Sequence, residues 1–485
     1  MIIRKILKES VIYGGADFVT KFVAFFCFPL VAAALSPSEF GFLELIFTII
    51  SIAGLIISCG LNNAVQRFYW DIEVKASERP IIVTTGFLYQ FLFGGACIIL
   101  GLIIVPFFEP EIQKSGWPIS TVAILAACLV MACKQWSQYI LDVTRLHFAP
   151  INFLILALFY RSLPMILGVV SIILLQRGID GFLATNALVL LFFLPMGIWF
   201  IRKDLKLSKW NANWAKKLIS FGYPFIYVGI AHWLFGYIDR WMLASMTSVE
   251  EVGIYSVAFR FASIVIFFSV AFGQAWSPLA IKIRTDYPVQ YRAIYGQILL
   301  LLLFLMLSVG GIVSLFAGEG IFLIMPAEYC SSALPMIILS FGIILKSTQQ
   351  ITAIGISLEK KTFLFVRIAW LTAITNIIGN YILIPKFGAN GAAVATFFSY
   401  LLLTLSYLYF TQKIHPLIIP WLPLSVLTLM GIMVAFFSIH FLTQSVEIER
   451  IAGKLLLIIF CFLLGWRFLP LNLLKDFKNQ KCNSH

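Results

Sequence analysis

Apolar runs of the length that carries a helix across a bilayer, roughly 20 residues, recur from one end of this 485-residue chain to the other. Read as membrane spans, they fall at about 10–34, 40–65, 81–107, 117–141, 150–175, 181–201, 215–243, 252–276, 295–317, 333–357, 362–385, 389–411, 417–440 and 449–467. Polar residues gather in the short stretches between them, none long enough to hold a soluble domain. The pattern predicts an all-α polytopic membrane protein of about 14 transmembrane helices.

The polar stretches repeat. Leu35-Ser36-Pro37-Ser38-Glu39-Phe40-Gly41 returns as Thr247-Ser248-Val249-Glu250-Glu251-Val252-Gly253, with Glu39 and Glu251 212 positions apart. Lys134-Gln135-Trp136-Ser137-Gln138 is echoed at the same offset by Lys346-Ser347-Thr348-Gln349-Gln350. Gly178-Ile179-Asp180-Gly181 is echoed by Gly388-Ala389-Asn390-Gly391, 210 positions on. Three anchors at nearly one offset indicate two related halves in parallel order, a build common among transporters. The expected organisation is an amino-terminal lobe of six helices (1–206) and a carboxy-terminal lobe of six (207–413). An extra helix pair with a basic tail (414–485) stands outside the repeat, making two pseudo-symmetric six-helix lobes plus a pair.

Composition fits that reading: 61% hydrophobic, 12% charged, mean hydropathy +0.97. The net charge of +13 could suggest nucleic acid, but its placement argues against such a partner. Basic residues crowd the amino-terminal tail (Arg4, Lys5, Lys8), every second loop, including the Arg202–Lys217 linker, and the carboxy-terminal tail (Lys475, Lys478, Lys481). The alternate loops are acidic, with Glu39, Glu109, Glu111, Glu250, Glu251, Glu319, Glu328, Glu447 and Glu449. By the positive-inside rule both termini are expected in the cytoplasm. No cleavable signal pattern precedes the first run, which carries Asp17 and Lys21 inside it. The eight cysteines show no CxxC spacing and read as small apolar filling, so no metal is expected. The absence of a G-x-x-x-x-G-K-[ST] loop excludes P-loop ATP binding, and no cofactor is expected. Pro29, Pro164, Pro195, Pro224 and Pro335 lie in or beside apolar runs, where each permits a kink.

Ionisable residues inside the spans carry most of the functional information, because each is costly in hydrocarbon unless it meets water or a partner. Asp17 and Lys21, one turn apart, could neutralise each other while facing a cavity. Lys134 and Lys346 hold matching repeat positions, each with a glutamine one turn on (Gln138, Gln350). Ser256, Arg260, Ser263 and Gln274 fall on one helical face of the eighth span, and Asn376 and Asn380 lie a turn apart in the eleventh. Arg161 and Arg367 are further cations, whereas Glu44 and Asp239 lie near the outer ends of their spans. An excess of cations suits an anionic ligand bearing phosphate or carboxylate. The expected binding set is Lys21, Lys134, Arg161, Arg260, Lys346 and Arg367, with Asp17 as the ion-coupling candidate and no catalytic residue.

The Leu35–Gly41 loop, Gly60-Leu61, Arg67-Phe68-Tyr69, Asp239-Arg240-Trp241-Met242-Leu243 and Val252-Gly253-Ile254-Tyr255 together resemble the Wzx-type polysaccharide (O-antigen) flippases. Those belong to the multidrug/oligosaccharidyl-lipid/polysaccharide (MOP) exporter superfamily, which also holds the lipid II flippases and the MATE drug exporters. The resemblance covers nearly the whole chain and implies a V-shaped fold working by alternating access. It implies movement of an undecaprenyl-pyrophosphate-linked oligosaccharide to the outer leaflet of a bacterial inner membrane, for O-antigen or capsule. Membrane lipids, a polysaccharide polymerase and a chain-length regulator are the partners it implies. The rival reading is a MATE-like antiporter of small organic cations, for which an acidic cavity is expected. An integral-membrane enzyme would display its chemistry on a large outer loop, and the outer loops here are short.

Overall fold

The computed structural model describes residues 2–114, 120–359, 361, 363–443, 445 and 447–469. The basic tail with Lys475, Lys478 and Lys481 lies outside the described residues. So do Cys482, Lys360 and the side chains of Arg4, Lys5, Lys8, Glu109, Glu111 and Lys114. Every element among the described residues is helical. The chain forms two compact units, Met1–Tyr237 and Ile238–His485.

The first unit contains α1 (Ile2–Ala33), α2 (Pro37–Ser58), the short α3 (Leu61–Tyr69), α4 (Arg79–Lys114), α5 (Thr121–Leu146), α6 (Pro150–Ala157), α7 (Leu163–Ile173), α8 (Gly178–Ile201), α9 (Ala212–Gly222) and the start of α10 (Pro224–Met246). Three short polar caps set where helices of this unit begin. At α2, Ser36 Oγ accepts from Glu39 N at 3.3 Å while Ser36 N donates to Glu39 Oε2 at 2.9 Å. Pro37 occupies the first turn, where its missing N–H costs nothing. Ser120 caps α5 and Asn211 caps α9 in the same manner, through a side-chain oxygen.

The second expected span ends earlier than its apolar pattern suggests. Cys59 and Gly60 both take positive φ (48° and 67°), which stops α2 at Ser58 and makes α3 a separate helix. A Cβ on Gly60 would lie 2.1 Å from the Gly222 carbonyl oxygen, so this turn presses backbone to backbone against the end of α9.

The second unit holds the rest of α10, then α11 (Val249–Ala262), α12 (Ile264–Asp286), α13 (Tyr291–Leu315), α14 (Ala317–Ile324), α15 (Ala333–Ser347), α16 (Gln349–Thr352), α17 (Ile354–Leu358), α18 (Phe363–Ile414), α19 (Trp421–His440) and α20 (Ile448–Arg467). The repeat reappears here in local geometry. Ser248 caps α11 by accepting from Glu251 N at 3.3 Å, as Ser36 does from Glu39. Gly388 has φ 53° and its counterpart Gly178 has φ 54°.

At Gly388 the 52-residue α18 turns back on itself. Asn376 Nδ2 reaches Thr396 Oγ1 at 3.4 Å, although a continuous helix would hold residues 20 apart about 30 Å from each other. α18 is therefore two antiparallel spans. Glu251 clamps the turn, accepting from Ala389 N at 2.6 Å.

Twelve helices of the described residues are long and apolar enough to cross a membrane. One of them, α18, is the hairpin just described. α20 falls outside the twelve because Glu449, Arg450, Lys454 and Arg467 lie within it. With the hairpin divided and α20 added, the expected count of about 14 is recovered. The helices turn many large side chains outward: Phe18, Phe22 and Phe26 on α1 are 57%, 49% and 56% exposed. A continuous apolar exterior of this kind would be costly in water and suits lipid. This is a multi-pass membrane protein.

Candidate functional site

The first unit builds a polar network inside its apolar shell. Asp17 of α1 offers one carboxylate oxygen to Arg161 at 2.6 Å and the other to Arg145 at 3.1 Å. Arg145 is the penultimate residue of α5, so the network lies toward that end of the helix. All three side chains remain partly open, between 32% and 39% exposed.

Arg161 is presented by a five-residue π-helical turn, Leu158–Ser162, between α6 and α7. Pro164 follows it and cannot donate to the carbonyl of Tyr160, which widens the helix there. Such bulges re-aim a side chain, and here the guanidinium turns toward α1 and α5. Arg161 also donates to Gln138 Oε1 at 3.0 Å, and Gln138 Nε2 donates to Asp142 Oδ1 at 3.0 Å. Asn62 Nδ2 donates to the other Asp142 oxygen at 2.6 Å, and Gln90 Nε2 to Asn62 Oδ1 at 2.7 Å. Two arginines, two acids and three amides thus link α1, α3, α4, α5 and the π turn. The buried carboxylate of Asp142 is satisfied by amides, which leaves Arg145 and Arg161 directed at Asp17 alone among the described ion pairs.

The second unit has a drier network. Asp239 and Arg240 are 5% and 3% exposed, and Arg240 Nη1 lies 3.4 Å from Asp239 Oδ1. Tyr255 donates a short bond to Asp239. Arg240 Nε donates to Ser256 Oγ at 3.3 Å, and Asn376 and Asn380 extend the set through Thr396. Among the described contacts, the acid and the base of this network lie side by side.

At the basic-loop end, each unit closes a tyrosine–histidine–acid knot. Asp204 Oδ2 accepts from Tyr69 at 2.6 Å and faces His147 Nε2 at 2.7 Å. Burial pushes the Asp204 carboxyl up, but hydrogen bonds from His147 and Tyr69, with the charges of His147 and Arg79, outweigh it. The net result is a value below the usual carboxylate range. In the second unit His415 faces Glu359 at 2.9 Å and Tyr291 at 2.9 Å. Glu359 stands 212 positions after His147, and His415 stands 211 after Asp204. The repeat keeps the pair and exchanges its members.

Residues 6–284, more than half of the chain, match the family of polysaccharide biosynthesis proteins. The chain belongs to that family. Agl15 of Haloferax volcanii, a probable low-salt glycan biosynthesis flippase, is 21% identical over 417 residues, 84% of this chain and 84% of its own length. An uncharacterized membrane protein of Methanocaldococcus jannaschii is 26% identical over 43% of this chain and 42% of that protein. A protein of the Lsg locus of Haemophilus influenzae is 24% identical over 54% and 62%. The chain thus spans less than two thirds of the length of these last two relatives.

Among solved structures, the lipid II flippase MurJ in an inward closed conformation superposes with a TM-score of 0.71 at 15% identity, covering 96% of this chain and all of that one. An inward-facing MATE multidrug transporter of the MOP superfamily gives 0.59 at 14% identity, covering 86% and 95%. The expected polysaccharide family is thus borne out by the family match, and the expected fold by its likeness to MurJ and to the MATE transporters.

The structure of this polysaccharide biosynthesis protein distributes the expected site residues unevenly. Asp17 and Arg161 come together. Lys21, by contrast, is exposed, and Asp17 faces Arg145 and Arg161 rather than the lysine one turn along its own helix. Lys134 lies 5.0 Å from the Phe47 ring, and Lys346 lies 4.7 Å from the Tyr400 ring and 3.5 Å from its hydroxyl. The repeat-related lysines therefore each sit over an aromatic ring within their own unit. Arg260 is half-buried at the end of α11, and Arg367 is exposed over Phe363 at 4.6 Å.

The expected polar stripe of Ser256, Arg260, Ser263 and Gln274 does not run along one helix. Ser263 turns its hydroxyl back to the Arg260 carbonyl at 2.5 Å, and the helix breaks there into α11 and α12. Arg145 and Asp142 fall outside the expected site, because the fourth expected span stops at 141 and α5 continues to Leu146. Both were reachable, since Lys134, Gln138, Asp142 and Arg145 step along α5 by four, four and three residues, a single helical face.

Proposed function

We propose that this protein is a flippase for a lipid-linked oligosaccharide, carrying an undecaprenyl-pyrophosphate-linked repeat unit from the cytoplasmic to the outer leaflet by alternating access. The observation that carries the reading is the arginine pair of the first unit, held in the membrane by one carboxylate and open to its surroundings. Two guanidinium forks match the oxygens of a pyrophosphate, and charge-assisted bonds offset its desolvation. Agl15 and MurJ bear the name flippase, which supports the substrate class. O-antigen or capsule synthesis is the finer part of the proposal.

In this mechanism the pyrophosphate displaces Asp17 from Arg145 and Arg161. The freed carboxylate takes up a proton or cation, which makes Asp17 the coupling candidate. Lys21, Lys134, Arg260 and Lys346 supply further positive charge along the way. We place the basic loops and both termini in the cytoplasm of a bacterial inner membrane, so the arginine pair meets the substrate on the side where it is made. Outward movement of one negative charge then gains about 2.3 kcal/mol per 100 mV of inside-negative potential. The reading disfavours an exporter of organic cations, for which exposed arginines would be repulsive.

The test is translocation of a fluorescent undecaprenyl-pyrophosphoryl oligosaccharide in proteoliposomes, with accessibility to an external quencher as the readout. Protein-dependent movement that is lost in Arg161→Gln supports the proposal. Equal movement in protein-free vesicles, or in the variant, rules it out.

A further inference from the structure

The two halves of α18 begin and end side by side, and their ends enclose an open groove of about 480 Å³. Three cations border it: Lys361 just before the helix, Arg367 on its second turn and Lys413 at its end. Phe363, Leu364 and Phe410 form the floor, and no carboxylate is among the lining residues. None of the three cations takes part in a described ion pair. Arg367 instead stacks over Phe363 at 4.6 Å, which holds its guanidinium at the groove while leaving its donors free to point outward.

The chemistry of this groove differs from that of the arginine pair in the first unit. A small soluble phosphate would use the cations and leave the aromatic floor bare. A phospholipid uses both, its phosphate meeting the cations and its glycerol and first acyl carbons covering Phe363 and Phe410. The groove also lies where apolar spans give way to a basic loop, the depth of headgroups. Lysine and arginine at that depth attract anionic lipid.

We propose that this groove is a binding site for an anionic phospholipid headgroup of the bilayer itself, and that Arg367 serves that site. The proposal does not rest on the flippase reading. It is tested on the full-length protein in neutral detergent by thermal unfolding, titrated with phosphatidylglycerol, with phosphatidylcholine or with inorganic pyrophosphate. Phosphatidylglycerol is expected to raise the midpoint where phosphatidylcholine does not. In the Arg367→Gln/Lys413→Gln double variant, the half-saturating phosphatidylglycerol concentration should rise about tenfold or more.

An unshifted midpoint for that variant in phosphatidylcholine shows that it is folded. If it is shifted, Arg367→Lys, which keeps the charge, takes its place and should restore most of the affinity. Equal response to both lipids, or an unchanged titration in the double variant, overturns the proposal. A pyrophosphate response as large as that to phosphatidylglycerol overturns it in favour of a headless phosphate site.

Discussion

Replacing Asp17 by asparagine separates the two roles of the first unit's network. The change keeps the side chain's shape but removes the charge that Arg161 meets at 2.6 Å and Arg145 at 3.1 Å. Each contact is worth about 5–6 kcal/mol at an effective dielectric of ~20, before desolvation is subtracted. All three groups are about one third exposed, so solvent screens most of that. The net cost to stability is therefore roughly 1–3 kcal/mol, between the values for exposed and buried pairs.

The effect on ligand has the opposite sign. An incoming pyrophosphate no longer competes with a carboxylate, and a gain of about 1.4 kcal/mol tightens binding tenfold. Titration calorimetry with inorganic pyrophosphate should show tighter binding in Asp17→Asn, and weaker or no binding in Arg161→Gln. Turnover should fall in both, because Asp17→Asn loses the group that reclaims the arginines. Weakening of pyrophosphate by the same factor in the two variants would refute displacement, since Asp17 would then be a structural brace.

Other outcomes follow from local geometry. Gly388→Ala should destabilise the second unit by roughly 2 kcal/mol or more, because φ is 53° and the added Cβ would lie 2.5 Å from Glu251 Oε2, as a lowered unfolding temperature will show. Lys454 and Glu319, 3% and 5% exposed and 2.5 Å apart, join α20 to α14; Lys454→Met alone should cost about 3–5 kcal/mol, and Lys454→Met/Glu319→Leu should recover most of it in the same assay. Tyr69→Phe removes one donor from Asp204, whose folded value is depressed. That contribution is present above the ordinary carboxylate value near 3.8 and is lost as pH falls through the lower folded value, so the midpoint gap between wild type and variant should be full at pH 6 and narrow once the pH falls below 3.8.

The fold was largely legible because the bilayer imposes one length on every span and one sign on alternate loops. The caps were legible too: Ser36 and Ser248 sit 212 positions apart and do the same work. Breaks were harder to read. Cys59 reverses its backbone with no residue-type signal beyond the following glycine, and Ser263 interrupts a helix through a hydroxyl that spacing alone places on a continuous polar face.

The site was half legible. Arg161 and Asp17 stood out as charges in hydrocarbon, but their partnership depends on a π turn that sequence periodicity does not show. Arg145 lies beyond the fourth expected span, which stops at 141, whereas α5 runs on to Leu146 and brings the guanidinium to Asp17. The tyrosine–histidine–acid knots escaped because the repeat swaps acid for base, which hides the match from residue identity.

The most direct measurement is the leaflet distribution of labelled undecaprenyl-linked oligosaccharide in cells lacking this protein, complemented with wild type or with Arg161→Gln at equal protein level. The account predicts accumulation on the cytoplasmic side without the protein, relief by wild type and none by the variant. A distribution that stays the same across all three strains would contradict it.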